Sequence, residues 1–189
     1  MEKIRCSWCE NDDLMMKYHD KEWGVPNHDD RKHFEFLILE AAQAGLSWKT
    51  VLNKRENYRK AFSQFNPRLV ARYEEKTIKK LLQNEGIIRN RLKIESSINN
   101  AKKFLDIQKE WKSFDNYLWH FVNNKPVTNK WKTIKELPPK TLLSDQVSDD
   151  LKKRGFKFVG STVIYAHLQA VGIVNDHLMT CFRYGELKN

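Results

Sequence analysis

The feature that most restricts the fold of this 189-residue chain is a set of four potential metal ligands divided between its two ends. Cys6 and His19 lie near the start, and His177 and Cys181 lie near the finish. The second pair has the four-residue spacing that places two side chains on one face of a helix. Two thiolates and two imidazoles suit a closed tetrahedral zinc site with no open position for chemistry. We therefore expect a structural metal that ties the N-terminal segment to a C-terminal helix.

Two other interpretations of these residues stay open from spacing alone. Cys9 is a possible replacement for Cys6, because Cys6-x-x-Cys9 also has ligand-like spacing. Alternatively, the cysteines are small buried apolar residues and the histidines satisfy local hydrogen bonds. The sequence patterns of zinc proteases and zinc deaminases are absent, so a metal bound by these residues is expected to be structural rather than catalytic.

Composition narrows the class of protein. Three cysteines are too few for a disulfide scaffold and suit a reducing compartment. No stretch of the sequence approaches the roughly 20 apolar residues of a membrane-spanning helix, so we expect a soluble cytosolic protein. The net charge of +10 favours a polyanionic partner, nucleic acid first. A lysine-rich genome would give many of its proteins the same charge, so this signal is modest.

Apolar spacing and capping residues predict helices along nearly the whole chain, and no alternating strand pattern is evident. The predicted helices run from Asp29 or Asp30 to Gly45, from a Ser47 cap through Phe62, from Asn66-Pro67, over 78–82, over 90–109, from a Ser113 cap, from Ser144 to Gly155, and over 162–171 behind a Ser161 cap. The polar, proline-containing stretch 123–141 is predicted to be a connecting loop. The sequence therefore predicts an all-α fold.

A short turn between two of these helices is the first candidate functional element, within about 145–171. It ends in Gly160, and the backbone N–H groups at the start of the following helix form a potential phosphate site. Four basic residues lie beside it: Lys152, Lys153, Arg154 and Lys157. Because backbone amides contact only the phosphate, binding here would be independent of base sequence. An ordinary helical hairpin with a solvated basic edge has the same pattern.

Glu40 is the second candidate. It lies in a helix that is apolar almost all the way round, so its carboxyl group is expected to be buried. A buried acid must pair with a cation, accept hydrogen bonds or become protonated. Tyr18, Trp23 and Trp48 are close in sequence, and their rings could form a pocket for a flat cation with Glu40 as the acceptor. A structural ion pair and simple aromatic packing would explain the same residues.

Five motifs, in this order along the chain, resemble the bacterial 3-methyladenine DNA glycosylase I family. They are residues 18–26 (YHDKEWGVP), 43–48 (QAGLSW), 86–89 (GIIR), 153–160 (KRGFKFVG) and 172–181 (GIVNDHLMTC). The resemblance implies the all-α fold of the helix-hairpin-helix DNA glycosylase superfamily, with one glycosylase domain over 1–189 built from two closely packed lobes. It also implies a structural Zn²⁺ bound by Cys6, His19, His177 and Cys181, in a monomeric cytoplasmic protein that acts on the bacterial nucleoid.

The implied activity is excision of 3-methyladenine from alkylated double-stranded DNA. Glu40 would contact the damaged base, within a pocket lined by Tyr18, Trp23 and Trp48. The corner at Gly45 and Leu46 resembles the family element that enters the gap left by the extruded nucleotide. The backbone of the DNA would be held at the hairpin, by Lys157, Gly160 and Ser161.

Two positions depart from what the resemblance leads us to expect. Many members of the wider superfamily carry a catalytic Asp where Asn175 stands here, and Asp176 is one position away, so we assign neither a catalytic role. Met15 replaces an expected aromatic residue, which leaves the fine base selectivity open. Methylation at N3 makes the adenine cationic, so it leaves as a neutral base and needs little acid catalysis. Without an evident lysine nucleophile, we expect simple hydrolysis; a non-enzymatic DNA-binding protein with the same hairpin is the alternative.

Overall fold

The computed structural model describes residues 3–188 and is predominantly helical, as the sequence predicts. The α-helices are α1 (Asp13–Lys21), α2 (Asp30–Gln43), α3 (Trp48–Asn53), α4 (Arg55–Ala61), α5 (Pro67–Val70), α6 (Glu75–Leu82), α7 (Arg91–Trp111), α8 (Phe114–His120), α9 (Leu142–Lys153), α10 (Ser161–Ala170) and α11 (Phe182–Glu186). Short 3₁₀ turns are Ser7–Cys9, Ser63–Phe65 and Ile134–Glu136, and the strands are β1 (Val127–Thr128) and β2 (Val174–Asn175). Residues 1, 2 and 189 of the predicted domain lie outside the described residues.

Helix α2 is the centre of the fold. The Asp29 carboxylate caps it by accepting from the backbone N–H of Arg31, and ten consecutive residues over 33–42 are buried. It packs against α3, α7, α8 and α10. Asp30 accepts hydrogen bonds from the backbone N–H groups of Phe114 and Asp115, which fixes the start of α8 on the first turn of α2. A helix covered on every side explains why its sequence is apolar all round.

Several helix bounds differ from the sequence predictions, including that of α6, which starts at Glu75 rather than at Ile78. The helix predicted from Ser47 through Phe62 is two helices, because the chain leaves regular helical geometry at Lys54 (φ −96°, ψ −1°). The helix predicted to begin at Ser144 begins at Leu142 instead. Its cap is Thr141, which exchanges hydrogen bonds with Ser144 in a capping box.

Ser161 does not cap the following helix. Gly160 occupies the cap position of α10 and Ser161 is the first helical residue. The Ser161 hydroxyl lies 2.8 Å from the Ser144 hydroxyl, and this contact joins the first turns of α9 and α10. Because Gly160 has no side chain, the cap residue of α10 supplies no side-chain hydrogen bond to the first N–H groups of the helix.

The stretch 123–141 is largely irregular, as predicted, but it contains β1. This two-residue strand pairs in parallel with β2, Val127 opposite Val174 and Thr128 opposite Asn175. A pairing this short leaves no alternating pattern in the sequence. Gly172, just before β2, has φ +72°, and a Cβ there would lie 2.2 Å from the carbonyl carbon of Val25. Only glycine lets these two backbones come so close.

The segment that carries His177 and Cys181 is not helical, contrary to the prediction from their spacing. His177 follows β2 in an irregular stretch, and Cys181 precedes α11 as its cap residue. The four-residue interval instead spans a turn, closed by the hydrogen bond from the Cys181 N–H to the Leu178 carbonyl at 2.8 Å. Among the helices of residues 3–188, none has the length and apolar character needed to cross a membrane.

Candidate active site and metal cluster

A cavity of about 230 Å³ brings Glu40 together with the three aromatic residues named from the sequence. The cavity lies between α2, α3, α10 and the loop that contains the turn Ile134–Glu136. Its lining residues are Trp8, Tyr18, Trp23, Glu40, Gln43, Trp48, Ile134, Leu137, Ala166 and Gln169. One acid among rings and aliphatic groups is an arrangement suited to a flat, positively charged ligand.

Glu40 carries the only carboxyl group on this lining within the described residues. The residue is 4% exposed, and burial raises the pKa of Glu40 to about 8. No ion pair or hydrogen bond offsets that burial among residues 3–188, so the acid holds its proton near neutral pH in the free protein. A bound cation would favour the ionised carboxylate.

The aromatic walls support one another. The rings of Tyr18 and Trp48 have centroids 5.2 Å apart, and those of Trp8 and Trp23 are 5.1 Å apart in an edge-on arrangement. Burial, followed by the nearby Glu40 carboxylate, raises the pKa of Tyr18, so its phenol stays protonated and can donate. The indole N–H of Trp48 is buried and donates to no described residue.

Six lining residues were not assigned to the pocket from the sequence: Trp8, Gln43, Ile134, Leu137, Ala166 and Gln169. Trp8 could have been assigned to the pocket from the sequence, because it is another aromatic residue and lies close to Cys6. The others lie on elements that come together only in the folded chain. Met15, expected on one wall, is buried but is not among the lining residues.

A larger cleft of about 450 Å³ shares Tyr18 with this cavity but suits a ligand less well. Its main charges neutralise one another. The guanidinium of Arg55 donates to Glu22 at 2.7 Å and to Glu35 at 2.8 Å, and Lys32 lies 3.0 Å from Glu35. These groups hold α1, α2 and α4 together rather than presenting an unpaired charge.

The corner at Gly45 and Leu46 is a tight turn immediately after α2. The Leu46 N–H donates to the Gln43 carbonyl at 2.6 Å, with Ala44 at φ −47°, ψ 115° and Gly45 at φ +79°. This is a type II turn, which requires a positive φ at its third residue and so selects glycine. The side chain of Leu46 is 40% exposed beside the cavity residue Gln43.

Lys93 of α7 binds the backbone of this corner. Its ammonium group donates to the carbonyls of Ala42 at 2.8 Å and Ala44 at 2.7 Å, at the C-terminal end of α2, where carbonyl groups lack partners within the helix. A cation at a helix C-terminus also interacts favourably with the helix dipole. The apolar tip at Leu46 therefore projects from a rigid support.

The turn between α9 and α10 is fixed by buried polar side chains. Asn100 of α7 accepts from the Lys157 N–H at 2.8 Å and donates to the Lys157 carbonyl at 2.8 Å. Ser148 of α9 donates to the Val159 carbonyl at 2.7 Å. These bonds fix the backbone of the turn, and Gly160 and Thr162 at the start of α10 are exposed.

Fewer basic side chains are available to a phosphate at this turn than the sequence suggested. Arg154 is bound to Asp150 and Glu110, so it is not available to a phosphate. The Lys157 side chain is exposed, and Gly160 is exposed with no atom within 4 Å of where a Cβ would be. One carboxylate, Asp145, lies at this end of α10, where Ser161 and then Lys140 lower its pKa.

The four predicted metal ligands form one buried cluster, with their ligand atoms all within 4.8 Å of one another. Cys181 Sγ lies 3.5 Å from His19 Nε2 and 3.6 Å from His177 Nδ1, and Cys6 Sγ lies 3.8 Å from His177 Nδ1. Tetrahedral Zn–S and Zn–N bonds would place sulfur and nitrogen about 3.6 Å apart. The donor set and its spacing therefore fit a tetrahedral zinc ion.

The opposite ring nitrogens of both histidines are also held as metal ligands require. His19 Nδ1 lies 2.8 Å from the Asp20 carboxylate, which Arg5 binds in turn. His177 Nε2 lies 3.0 Å from the Trp23 carbonyl. Such partners fix the tautomer, so that His19 presents Nε2 and His177 presents Nδ1 to the centre of the cluster.

The two thiols need a cation if both are to ionise. The hydrogen bond to Cys181, together with burial, raises the pKa of Cys6, whereas hydrogen bonds from Cys6, His177 and His19 lower the pKa of Cys181. Cys9 is not part of the cluster, because its thiol donates to the Cys6 carbonyl at 3.1 Å.

Comparison with known proteins agrees with this geometry. The profile of the methyladenine glycosylase family matches residues 8–184. The chain belongs to the methyladenine glycosylase family. It is 49% identical to DNA-3-methyladenine glycosylase 1 of Escherichia coli (strain K12) over 180 residues, which are 95% of this chain and 96% of that protein.

Solved structures of this glycosylase family superimpose closely on the chain. A crystal structure of 3-methyladenine DNA glycosylase I matches with a TM-score of 0.92 at 49% identity, covering 95% of this chain and 98% of the other. A structure of the Staphylococcus aureus enzyme, described as showing the basis of 3-methyladenine recognition, matches with a TM-score of 0.91 at 35% identity and covers 94% and 95% of the two chains.

In this methyladenine glycosylase family member, neither Asn175 nor Asp176 lines the cavity. The Asn175 side-chain oxygen accepts from the His177 N–H at 3.2 Å, which supports the start of the turn that carries the cluster residues His177 and Cys181. Asp176 is 1% exposed and its carboxylate is surrounded by hydrogen-bond donors. Neither residue is therefore placed to contact a ligand in this cavity.

Proposed function

We propose that this protein is a DNA-3-methyladenine glycosylase, which hydrolyses the bond between 3-methyladenine and deoxyribose in alkylated double-stranded DNA. Membership of the methyladenine glycosylase family supports this function, and so do the names of the E. coli and S. aureus relatives. The observation that carries it is the Glu40 carboxyl group inside an aromatic cavity, with no cation among residues 3–188 paired to it.

The cavity residues can favour departure of the damaged base. Methylation at N3 leaves the adenine with a positive charge while it is attached to the sugar. Ionised Glu40 attracts that charge at close range in a site of low dielectric, and the rings of Tyr18 and Trp48 hold the base by stacking. Because the base leaves as a neutral molecule, positioning and water access suffice and no strong general acid is needed.

The DNA contacts follow from the same geometry. A base must leave the helical stack to enter a cavity of the protein, and an apolar side chain can fill the space it leaves. Leu46 occupies the exposed tip beside the cavity and is proposed for this role, with Gly45 allowing the turn. We assign the segment 145–171 as a helix-hairpin-helix element in which Lys157, Gly160 and Ser161 hold a phosphate at the start of α10.

We further propose that Cys6, His19, His177 and Cys181 bind a structural Zn²⁺. Four protein ligands leave no position for water or substrate, so the ion would supply stability rather than chemistry. The single continuous hydrophobic cluster supports one domain, and we propose that it acts as a monomer in the bacterial cytoplasm.

Hydrolysis rather than strand cleavage is the expected outcome of the reaction. Cleavage of the DNA strand by a glycosylase of the lyase type needs an amine nucleophile that attacks the sugar. No lysine is present on the cavity lining within the described residues. We therefore propose a monofunctional enzyme that leaves an abasic site.

The decisive experiment measures free 3-methyladenine released from methylated duplex DNA. We expect release by the native protein and a fall of about a hundredfold or more for Glu40→Gln, which removes the negative charge but keeps the shape. Glu95→Gln is the matched control, because Glu95 is an exposed carboxylate on α7 that pairs with Arg91. A native protein that binds this DNA without releasing any base would instead be the non-enzymatic DNA-binding protein considered above.

A further inference from the structure

Asp176 connects two elements that form walls of the cavity. Its Oδ1 accepts from the side chains of Asn129 at 2.7 Å and Trp131 at 2.6 Å, in the loop that continues to the cavity residues Ile134 and Leu137. Its Oδ2 accepts from the Tyr165 hydroxyl and from Gln169 Nε2 at 2.7 Å, both on α10. One buried carboxylate therefore fixes the loop against the helix.

This contact also determines which end of the Gln169 amide faces the cavity. An amide has an NH₂ group that only donates and an oxygen that only accepts, whereas a carboxylate only accepts. The NH₂ group must therefore face Asp176, and the oxygen must point away from it. Gln169 lines the cavity, and no described residue donates a hydrogen bond to its Oε1.

The backbone of Gln169 is held as firmly as its side chain. Its carbonyl accepts from the Gly24 N–H at 2.8 Å and from the Gly172 N–H at 3.2 Å. These bonds join α10 to the segments that carry Trp23 and β2. The Oε1 atom is thus a preorganised acceptor rather than the end of a freely rotating side chain.

We propose that Gln169 Oε1 is a second hydrogen-bond acceptor for the damaged base, beside Glu40, and that Asp176 is the positioning residue that orients it. This inference rests on the proposed glycosylase function. Adenine carries an amino group with two N–H donors at its six-position, where guanine carries an acceptor oxygen. Two acceptors on one cavity select the amino group and repel the oxygen. Gln169 therefore makes the site specific for adenine-type over guanine-type bases alkylated at N3.

An acceptor that the bound base covers and leaves without a donor loses its hydrogen bond to water and gains none in return, which disfavours the wrong base. The discrimination lies in the ratio of the two bases rather than in the rate with either one. A purely structural role for Gln169 would lower the release of both bases together. The ratio is thus the measurement that separates recognition from support.

The test is the ratio of 3-methyladenine to 3-methylguanine released from one sample of methylated duplex DNA. We expect Gln169→Met, which keeps the length but removes the acceptor, to lower this ratio by about tenfold, equivalent to roughly 1.4 kcal/mol. Gln83→Met, at an exposed position after α6, is the control and should keep the native ratio. A native ratio in Gln169→Met would overturn the inference.

The positioning role of Asp176 is tested by combining variants. Asp176→Asn gives the Gln169 amide a neighbour that can also donate, so the amide can turn, and we expect the ratio to fall. The same change in the Gln169→Met background should not lower the ratio further, and a further fall would contradict the positioning role. If Asp176→Asn does not fold, Gln169→Met alone still decides whether the acceptor exists. If the native protein releases no 3-methyladenine at all, the proposed function fails; release with an unchanged ratio in Gln169→Met refutes only this inference.

Discussion

The indole ring of Trp23 lies edge-on to the imidazole of His177, with ring centroids 4.6 Å apart. The Trp23 carbonyl also lies 3.0 Å from Nε2 of the same histidine. Since Trp23 lines the cavity and His177 belongs to the cysteine–histidine cluster, the two sites share one wall. A change in the cluster is therefore transmitted to the cavity by direct contact.

Loss of a metal ligand is expected to destabilise the protein and, through Trp23, to weaken base binding. Cys181→Ser should abolish stoichiometric zinc and lower the free energy of unfolding by several kcal/mol, because metal binding and folding are coupled. Zinc content and urea unfolding measure the two effects. Cys9→Ser is the matched control, since the Cys9 thiol lies outside the cluster. Native stability of Cys181→Ser in a chelator would exclude a structural metal.

Glu40 should make the protein less stable as the pH rises. Its pKa increases from an ordinary 4.5 to about 8 on folding, so the folded protein holds a proton that the unfolded chain releases. The favourable contribution is complete below about pH 4.5 and is lost as the pH rises to about 8, by roughly 1.4 kcal/mol per unit. Glu40→Gln should therefore be a few kcal/mol more stable than the native protein at pH 8. Equal urea midpoints of the two proteins at pH 8 would contradict this burial effect.

The same carboxyl group should control the pH dependence of excision. The cationic base prefers ionised Glu40, and the value of kcat/KM reports ionisation in the free enzyme. We expect kcat/KM to rise with pH and to level off above about pH 8, where Glu40 is ionised. In Glu40→Gln this rise should be absent. A rise of equal size in both proteins would assign it to another group.

Substitutions at Gly160 test whether the turn between α9 and α10 binds a phosphate. A Cβ there would meet no atom within 4 Å and φ is −60°, so Gly160→Ala should fold normally. The bulkier, charged Gly160→Glu should lower DNA affinity at low salt by about tenfold or more, because it displaces and repels a phosphate. Gly185→Glu is the matched control, since a Cβ at Gly185 also meets nothing within 4 Å. Equal losses in both glutamate variants would indicate a general charge effect rather than a site.

The sequence correctly predicted features that depend on residues close to one another in the chain. Asp29, Asn66 and Ser113 cap the helices they were predicted to begin, because a side-chain acceptor and the first N–H groups lie within a few residues. The burial of Glu40 followed from the apolar residues that surround it on α2. These features depend on neighbours in the sequence.

The features that sequence patterns missed depend on contacts between distant elements. Gln169 of α10 and Leu137 of the loop before α9 line one cavity, although no sequence motif links the two segments. Ser161 resembles a cap by its position, but its hydroxyl contacts Ser144 across the α9–α10 interface. The spacing of His177 and Cys181 fits a helix and a turn equally well, so only the fold distinguishes them.

The contact between Cys6 and His177 joins residues separated by 171 positions. A ribosome must therefore release almost the entire chain before this contact and the wall at Trp23 can form. A chain still being translated therefore has an incomplete cavity, even where its local helices have already formed. Assembly of the protein and its ability to read damage are completed in the same late step of folding.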